Sequence, residues 1–217
     1  MKKYIQKNSI FGNGILISLL LGLLLFTLTI GFNIFNPKNI AWLMGGYDST
    51  THYLGWAFFR QTPWTFPIGL NPNYGLDIAS SIVYSDSIPI FAFIFKLLSP
   101  WLPEPFQYLG IWTLLCFILQ AYFAWLLVGL ITQETVLRLL ATTFFIVSPI
   151  MLWRVGFHSN ITSHFLILAA FYLSIRAKSC SLSYSWMVLL VLCLLVNFYI
   201  FLMVFAIFIG QLLDRAT

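Results

Sequence analysis

Residues Phe106–Ile131, FQYLGIWTLLCFILQAYFAWLLVGLI, form a run with no charged side chain. As a helix rising 1.5 Å per residue it would reach ~39 Å, more than the ~30 Å hydrocarbon core of a bilayer. This stretch predicts a membrane-spanning helix, and the remaining chain has the same character. Only 8% of residues are charged and 60% are hydrophobic, with 22 Phe and a mean hydropathy of +0.92. Soluble domains carry roughly a quarter charged residues. A chain so poor in charge cannot clothe itself in water-compatible surface, and the expected solvent is lipid. The formal charge of +5 then reads as topology-setting Lys and Arg beside spans, and not as a nucleic-acid footprint.

Upstream, Lys2, Lys3 and Lys7 precede an uncharged run from Asn8 to Pro37 centred on Ile15–Ile30. The run is longer than a signal-peptide core and ends without a small-residue cleavage pattern. It predicts a first span with a cytoplasmic N-terminus. Downstream of the quoted stretch, Thr132–Arg138 reads as an inner polar turn. Leu139–Trp153 reads as an outward span, Arg154–Thr162 as a second outer loop, and Ile161–Ile175 as a span ending at Arg176 and Lys178 on the inside. The final run, Tyr184–Leu213, is either one long tilted helix or two legs that turn near Asn197. As one helix it would measure ~45 Å, and the acidic and basic pair Asp214–Arg215 suits an inner end, which favours the turn. Cys116, Cys180 and Cys193 show no metal spacing.

Between the first two spans, residues 37–105 change in composition. They hold most of the nine prolines, four of the six acids (Asp48, Asp77, Asp86 and Glu104), and Trp42, Trp56, Trp64 and Trp101. Trp concentrates at the membrane–water interface, so this segment is expected to be a large outer loop lying on the membrane. Two short helices are expected within it. Ser49–Arg60 would be capped by Asp48, and Ser87–Leu98 would be interfacial or re-entrant and capped by Asp86. Thr62–Pro67 and Asn71–Gly75 are turn material. The fold expected is all-α: a polytopic transmembrane bundle in a single membrane domain, 1–217, forming the N-terminal part of a longer protein.

The candidate chemistry lies in Gly45–Trp56, GGYDSTTHYLGW. Asp48 and His52 are four residues apart and share a helix face. A carboxylate beside an imidazole can act as a general base with its orienting partner, or supply half of a metal site. The plainer reading has Asp48 capping the helix and His52 at headgroup level. Arg154 and His158 open the second outer loop. They suit a phosphate, which Arg can grip with two donors, or Arg154 simply snorkels from a span end. Asp77 reads as a turn acid, and His164 as structural. No GxGxxG, Walker A or GxSxG pattern occurs. Within the spans only Gln120 and Asn197 offer mid-membrane polarity, which speaks against a transport path.

The order Gly46-Tyr47-Asp48, His52-Tyr53-Leu54-Gly55-Trp56, Phe58-Phe59-Arg60, Pro63-Trp64, Phe66-Pro67, Asn71–Gly75 and Ser85-Asp86-Ser87-Ile88-Pro89 resembles an uncharacterised bacterial branch of the GT-C polytopic glycosyltransferases. The resemblance covers roughly Gly45–Asn160. It implies an inner-membrane protein that transfers a sugar from a polyprenyl-phosphate-type donor to a glycan or lipid acceptor at the outer face. It also implies Asp48 as the acid of the first outer loop. Arg60 and Asp86 are further candidates for binding substrate. Metal-dependent members supply acidic ligands from the second outer loop, whereas Arg154–Thr162 contains none, so a divalent cofactor is not supported there and no metal ligand is assigned. The competing classes are a lipid-linked saccharide transporter and a non-catalytic membrane assembly protein.

Overall fold

The structure is a computed structural model and describes residues 2–176 and 183–216. Its framework is helical: α1 (Lys2–Thr29), α2 (Asp48–Gln61), α3 (Pro89–Leu97), α4 (Leu109–Val128), α5 (Thr135–Ile146), α6 (Pro149–Arg154), α7 (Phe165–Arg176), α8 (Ser183–Val196) and α9 (Phe198–Ala216). A two-residue antiparallel ladder, β1 (Leu70–Asn71) with β2 (Ser80–Ser81), is the exception. All-α is the fold class. Two segments, Leu109–Val128 and Thr135–Arg154, are long and apolar enough to cross a membrane, and Gly14–Thr29, Phe165–Arg176, Tyr184–Val196 and Phe198–Asp214 are shorter apolar helices.

Helix α4 is the axis of the bundle. It packs against α1, α5 and α7, and α7 in turn packs on α8 and α9. Small residues set the closest approaches. A Cβ on Gly22 would stand 2.8 Å from Phe117 O, so α1 and α4 cross backbone to backbone there. Such crossings are how helices associate where apolar burial gives little advantage. Apolar side chains also cover the outside: Leu16, Leu20, Leu24 and Leu28 form an exposed row on α1, and Leu140 and Phe144 are exposed on α5.

Residues 37–105 fold into a cap over one end of the bundle. Gln107 anchors it: Nε2 donates to Ile34 O at 2.8 Å and Asn36 O at 3.0 Å, and Oε1 accepts from Gly110 N at 2.8 Å. The same side chain thereby closes the exit from α1 and satisfies a free N–H at the start of α4. Trp56 of α2 donates from Nε1 to Phe106 O at 2.9 Å, and its ring meets Tyr108 and Phe106 edge-on. Gly55 lets α2 sit against the 85–87 turn, since a Cβ there would fall 2.2 Å from Ser85 Oγ.

Several local expectations change. Asp48 is the first residue of α2, and Tyr47 occupies the cap position without a side-chain hydrogen bond. Asp86 does not cap α3 either. Ile88 precedes that helix in the left-handed region, with Pro89 in the first turn, where its missing N–H has no cost. The Asn71–Gly75 turn belongs to a small hairpin that the composition did not disclose. Helix α5 starts at Thr135, so Arg138 lies inside a helix and not in a polar turn. Ser148 then interrupts the return and caps α6, its Oγ accepting from Met151 N at 3.4 Å. The last run is two helices, broken at Asn197, whose Oδ1 accepts from Tyr199 N at 2.8 Å and Ile200 N at 3.3 Å. Lys178 and Cys180 lie outside the described residues.

Candidate functional site

The first turn of α2 is fixed by its hydroxyl side chains. Thr50 Oγ1 and Ser49 Oγ donate to Leu43 O at 2.7 and 3.2 Å, and Gly46 N donates to Thr50 Oγ1 at 3.2 Å. Gly46 enters this turn at φ +83, a region open to glycine. With the turn tied to the Leu43 carbonyl and Gly46 in this way, the Asp48 carboxylate is left to face outward. It meets the loop after α6, where His158 Nδ1 stands 2.6 Å from Asp48 Oδ2. That loop turns at Gly156, φ +84, and is closed by Phe157 N and His158 N donating to Arg154 O at 3.3 and 2.9 Å. Tyr47 packs on Phe157 with ring centroids 4.6 Å apart, and Trp153 stacks on the same ring at 5.0 Å. The two segments expected to share a face therefore meet directly.

His52 is not the partner of Asp48. It is 2% exposed and its Nδ1 lies 3.0 Å from Ser85 O. A carbonyl only accepts, so Nδ1 carries the proton in this contact and Nε2 is the basic nitrogen. Nε2 is buried without a hydrogen-bond partner. Burial holds this imidazole below its ordinary range, opposed by the Ser85 carbonyl and by the charges of Asp86 and then Asp48. The turn beside it is strained: Asp86 and Ile88 both take positive φ, uncommon for residues with a side chain and an outlier for β-branched Ile88. That geometry turns Ser87 inward, where Oγ donates to His52 O at 2.7 Å and the backbone carbonyl accepts from Tyr108 Oη.

Asp86 is half-buried. Asn197 Nδ2 donates to its Oδ1 at 3.1 Å. Burial raises its carboxyl above the usual range, while His52, Asn197 and the nearby Asn160 amide favour the anion. Asn160 Nδ2 falls outside hydrogen-bond geometry and, with Ser159 Oγ and Thr162 Oγ1, is buried without a partner. Asp86 and Asn197 also line a cleft of ≈ 620 Å³ together with Tyr84, Leu194, Phe198 and Tyr199. Such a mixture of polar and apolar lining suits an amphiphile.

Residues 19–217 match a family described as a domain of unknown function (DUF6311). The chain belongs to that family. No curated protein and no solved structure matches it.

The other predicted site residues of this DUF6311 chain separate clearly. Arg60 is a clamp: Nε donates to Ser99 Oγ at 2.8 Å, Nη1 to Pro103 O at 2.8 Å, and Nη2 to Ser99 O at 3.1 Å and Leu102 O at 2.9 Å. With its fork engaged by the 99–103 turn, it has little to offer a substrate. Arg154 is half-buried, and among the described residues no carboxylate pairs with it. Asp77 is exposed in a single 3-10 turn. Among the described residues no three His, Cys, Asp or Glu side chains are grouped to hold a metal. Asn160 and Asn197 escaped sequence reasoning as site residues. The one signal for Asn197 was its polarity within an apolar run.

Proposed function

We propose that the chain is a polytopic membrane protein that transfers a sugar from a polyprenyl-phosphate-type donor to a glycan or lipid hydroxyl at the outer face. Two segments of spanning length, further apolar helices and exposed leucine rows support the membrane setting, because such a surface is unfavourable in water. With the N-terminus inside, an odd number of crossings precedes residues 37–105, the 154–162 loop and Asn197, leaving them together on the outer side. The basic residues Arg138 and Arg176 then fall inside, in keeping with the charge bias of cytoplasmic loops.

The observation that carries the reading is the 2.6 Å contact between Asp48 and His158, with Arg154 four residues before His158 and, among the described residues, not paired with a carboxylate. In this mechanism Asp48, through Oδ1, takes the proton of the acceptor hydroxyl as its oxygen forms a bond to the sugar's anomeric carbon. The bond from that carbon to the donor phosphate breaks, and Arg154, with His158 beside it, meets the negative charge left on the phosphate. The outer cleft at Asp86 and Asn197 holds the apolar part of one substrate. His52 acts more on Asp86 than on Asp48.

The test uses cells carrying the full-length gene as wild type, deletion, Asp48→Asn and Arg154→Gln, with lipid-linked sugars and surface glycans quantified beside protein abundance in membranes. Loss of product with normal abundance in both variants supports transfer. Normal glycans in Asp48→Asn, or a change in abundance alone, rejects Asp48 as the acid.

A further inference from the structure

At the end of the bundle opposite the cap lies a second cavity of ≈ 530 Å³, formed where α1, α4, α5 and α7 diverge. Ile15, Trp125, Leu126 and Leu130 give it apolar walls, and Arg138 and Arg176 give it charge. Glycine makes the room. A Cβ on Gly129 would stand 2.5 Å from Arg138 Nη2, and one on Gly14 would stand 3.1 Å from Trp125 Nε1. Arg138 is held in place by Nη2 donating to Trp125 O at 2.8 Å and by its guanidinium lying 4.0 Å over the Trp125 ring. Its Nε is buried with no partner. Arg176, at the exposed rim, donates to the hydroxyl of Tyr172 and lies over the same ring at 5.6 Å. Among the described residues no carboxylate lines the cavity and neither arginine belongs to an ion pair.

We infer that this cavity is a binding site for a phosphate ester, with the phosphate between Arg138 and Arg176. Two guanidinium groups provide planar, multiple donors that match phosphate oxygens. Basic pockets between spans on the cytoplasmic side receive anionic head groups in this way. The apolar walls suit the glycerol and first methylenes of a lipid, although a soluble phosphate ester satisfies the same arginines. The site is remote from the cap and does not depend on the glycosyl-transfer reading.

The experiment uses the purified full chain in a neutral detergent, with native mass spectrometry and thermal unfolding as readouts. The probes are dioleoylphosphatidylglycerol, dioleoylphosphatidylcholine and glycerol 3-phosphate. Phosphatidylglycerol should bind about tenfold more tightly than phosphatidylcholine, a difference of ~1.4 kcal/mol. Arg176→Gln should remove most of that preference and Arg176→Lys should restore part of it, with Lys38→Gln at the opposite end as the charge-matched control. Arg176 donates to the Tyr172 hydroxyl, so Tyr172→Phe serves as the control for loss of that contact and should keep the lipid preference. Displacement of the lipid by equimolar glycerol 3-phosphate would assign a soluble ester, and failure to displace it would assign a lipid head group. Equal binding of the two lipids, or an Arg176→Gln protein that retains the preference, overturns the site.

Discussion

Asp48 Oδ2 and His158 Nδ1 are 2.6 Å apart, and through them the first turn of α2 is joined to the loop after α6. The Asp48 side chain is 59% exposed, so water competes with the contact. Exposed pairs contribute ~0.2–1 kcal/mol. A double-mutant cycle with Asp48→Asn and His158→Gln, read by thermal unfolding, should give a coupling in that range that shrinks with added salt. A coupling of several kcal/mol would mean that the pair is a structural clasp, and would weaken its assignment to chemistry.

Arg60 should behave in the opposite manner. Its four donations to the 99–103 turn need a planar fork, which lysine lacks. Arg60→Lys should therefore cost about 2–3 kcal/mol, visible as a melting point lower by roughly 4–12 °C in a chain of this size. Unchanged melting with impaired substrate binding would return Arg60 to the substrate site.

Gly55 supports the same region by having no side chain. The Cβ of Gly55→Ala would enter the space of Ser85 and Ser87, and overpacking of this kind costs about 1–3 kcal/mol. The displaced turn carries Asp86, so the variant should also loosen the contact between Asp86 and Asn197. Proteolysis within residues 70–90 should accelerate, and wild-type cleavage kinetics would reject this account of the packing.

The pH response of the cap follows from two opposed shifts. His52 is held below its ordinary value of 6.5 by burial, so across that window the unfolded chain binds more protons and stability falls as pH drops. Asp86 is raised above 3.8 by burial. Across its window the folded chain binds more protons, and stability falls as pH rises. His52→Gln should flatten the melting profile just below about pH 6.5, and Asp86→Asn should flatten it above about pH 4. Profiles parallel to wild type in both variants would show that neither group titrates with folding.

The long elements were legible because hydropathy is a property of a run. The Phe106–Ile131 stretch contains all of α4, and the excess length of Tyr184–Leu213 pointed to the break found at Asn197. The caps were not legible. Asp48 and Asp86 each stand before a helical pattern, the ordinary signature of an N-cap, but each carboxylate is oriented by a residue more than a hundred positions away. Serine and threonine hydroxyls occupy the local backbone instead. The ladder between β1 and β2 is too short for any periodicity to register. Lys96 was equally hidden: it reads as a charge that should reach water, yet it is buried with Nζ 3.8 Å over Phe59 and 4.7 Å over Trp64, a cation–π setting that only tertiary packing creates.

The hydrogen bond from Asn197 to Asp86 spans 111 positions, and that separation is also an interval of time. At about 5–20 residues per second, the ribosome needs roughly 5–20 s to reach Asn197 after making Asp86. During that interval the carboxylate lacks the amide that favours its charge, and burial favours the protonated form. The turn around Asp86 and Ile88 is thus completed late, by the arrival of the last two helices. Nascent chains stalled before residue 197 should leave residues 81–89 open to protease, and chains stalled well beyond it should protect them.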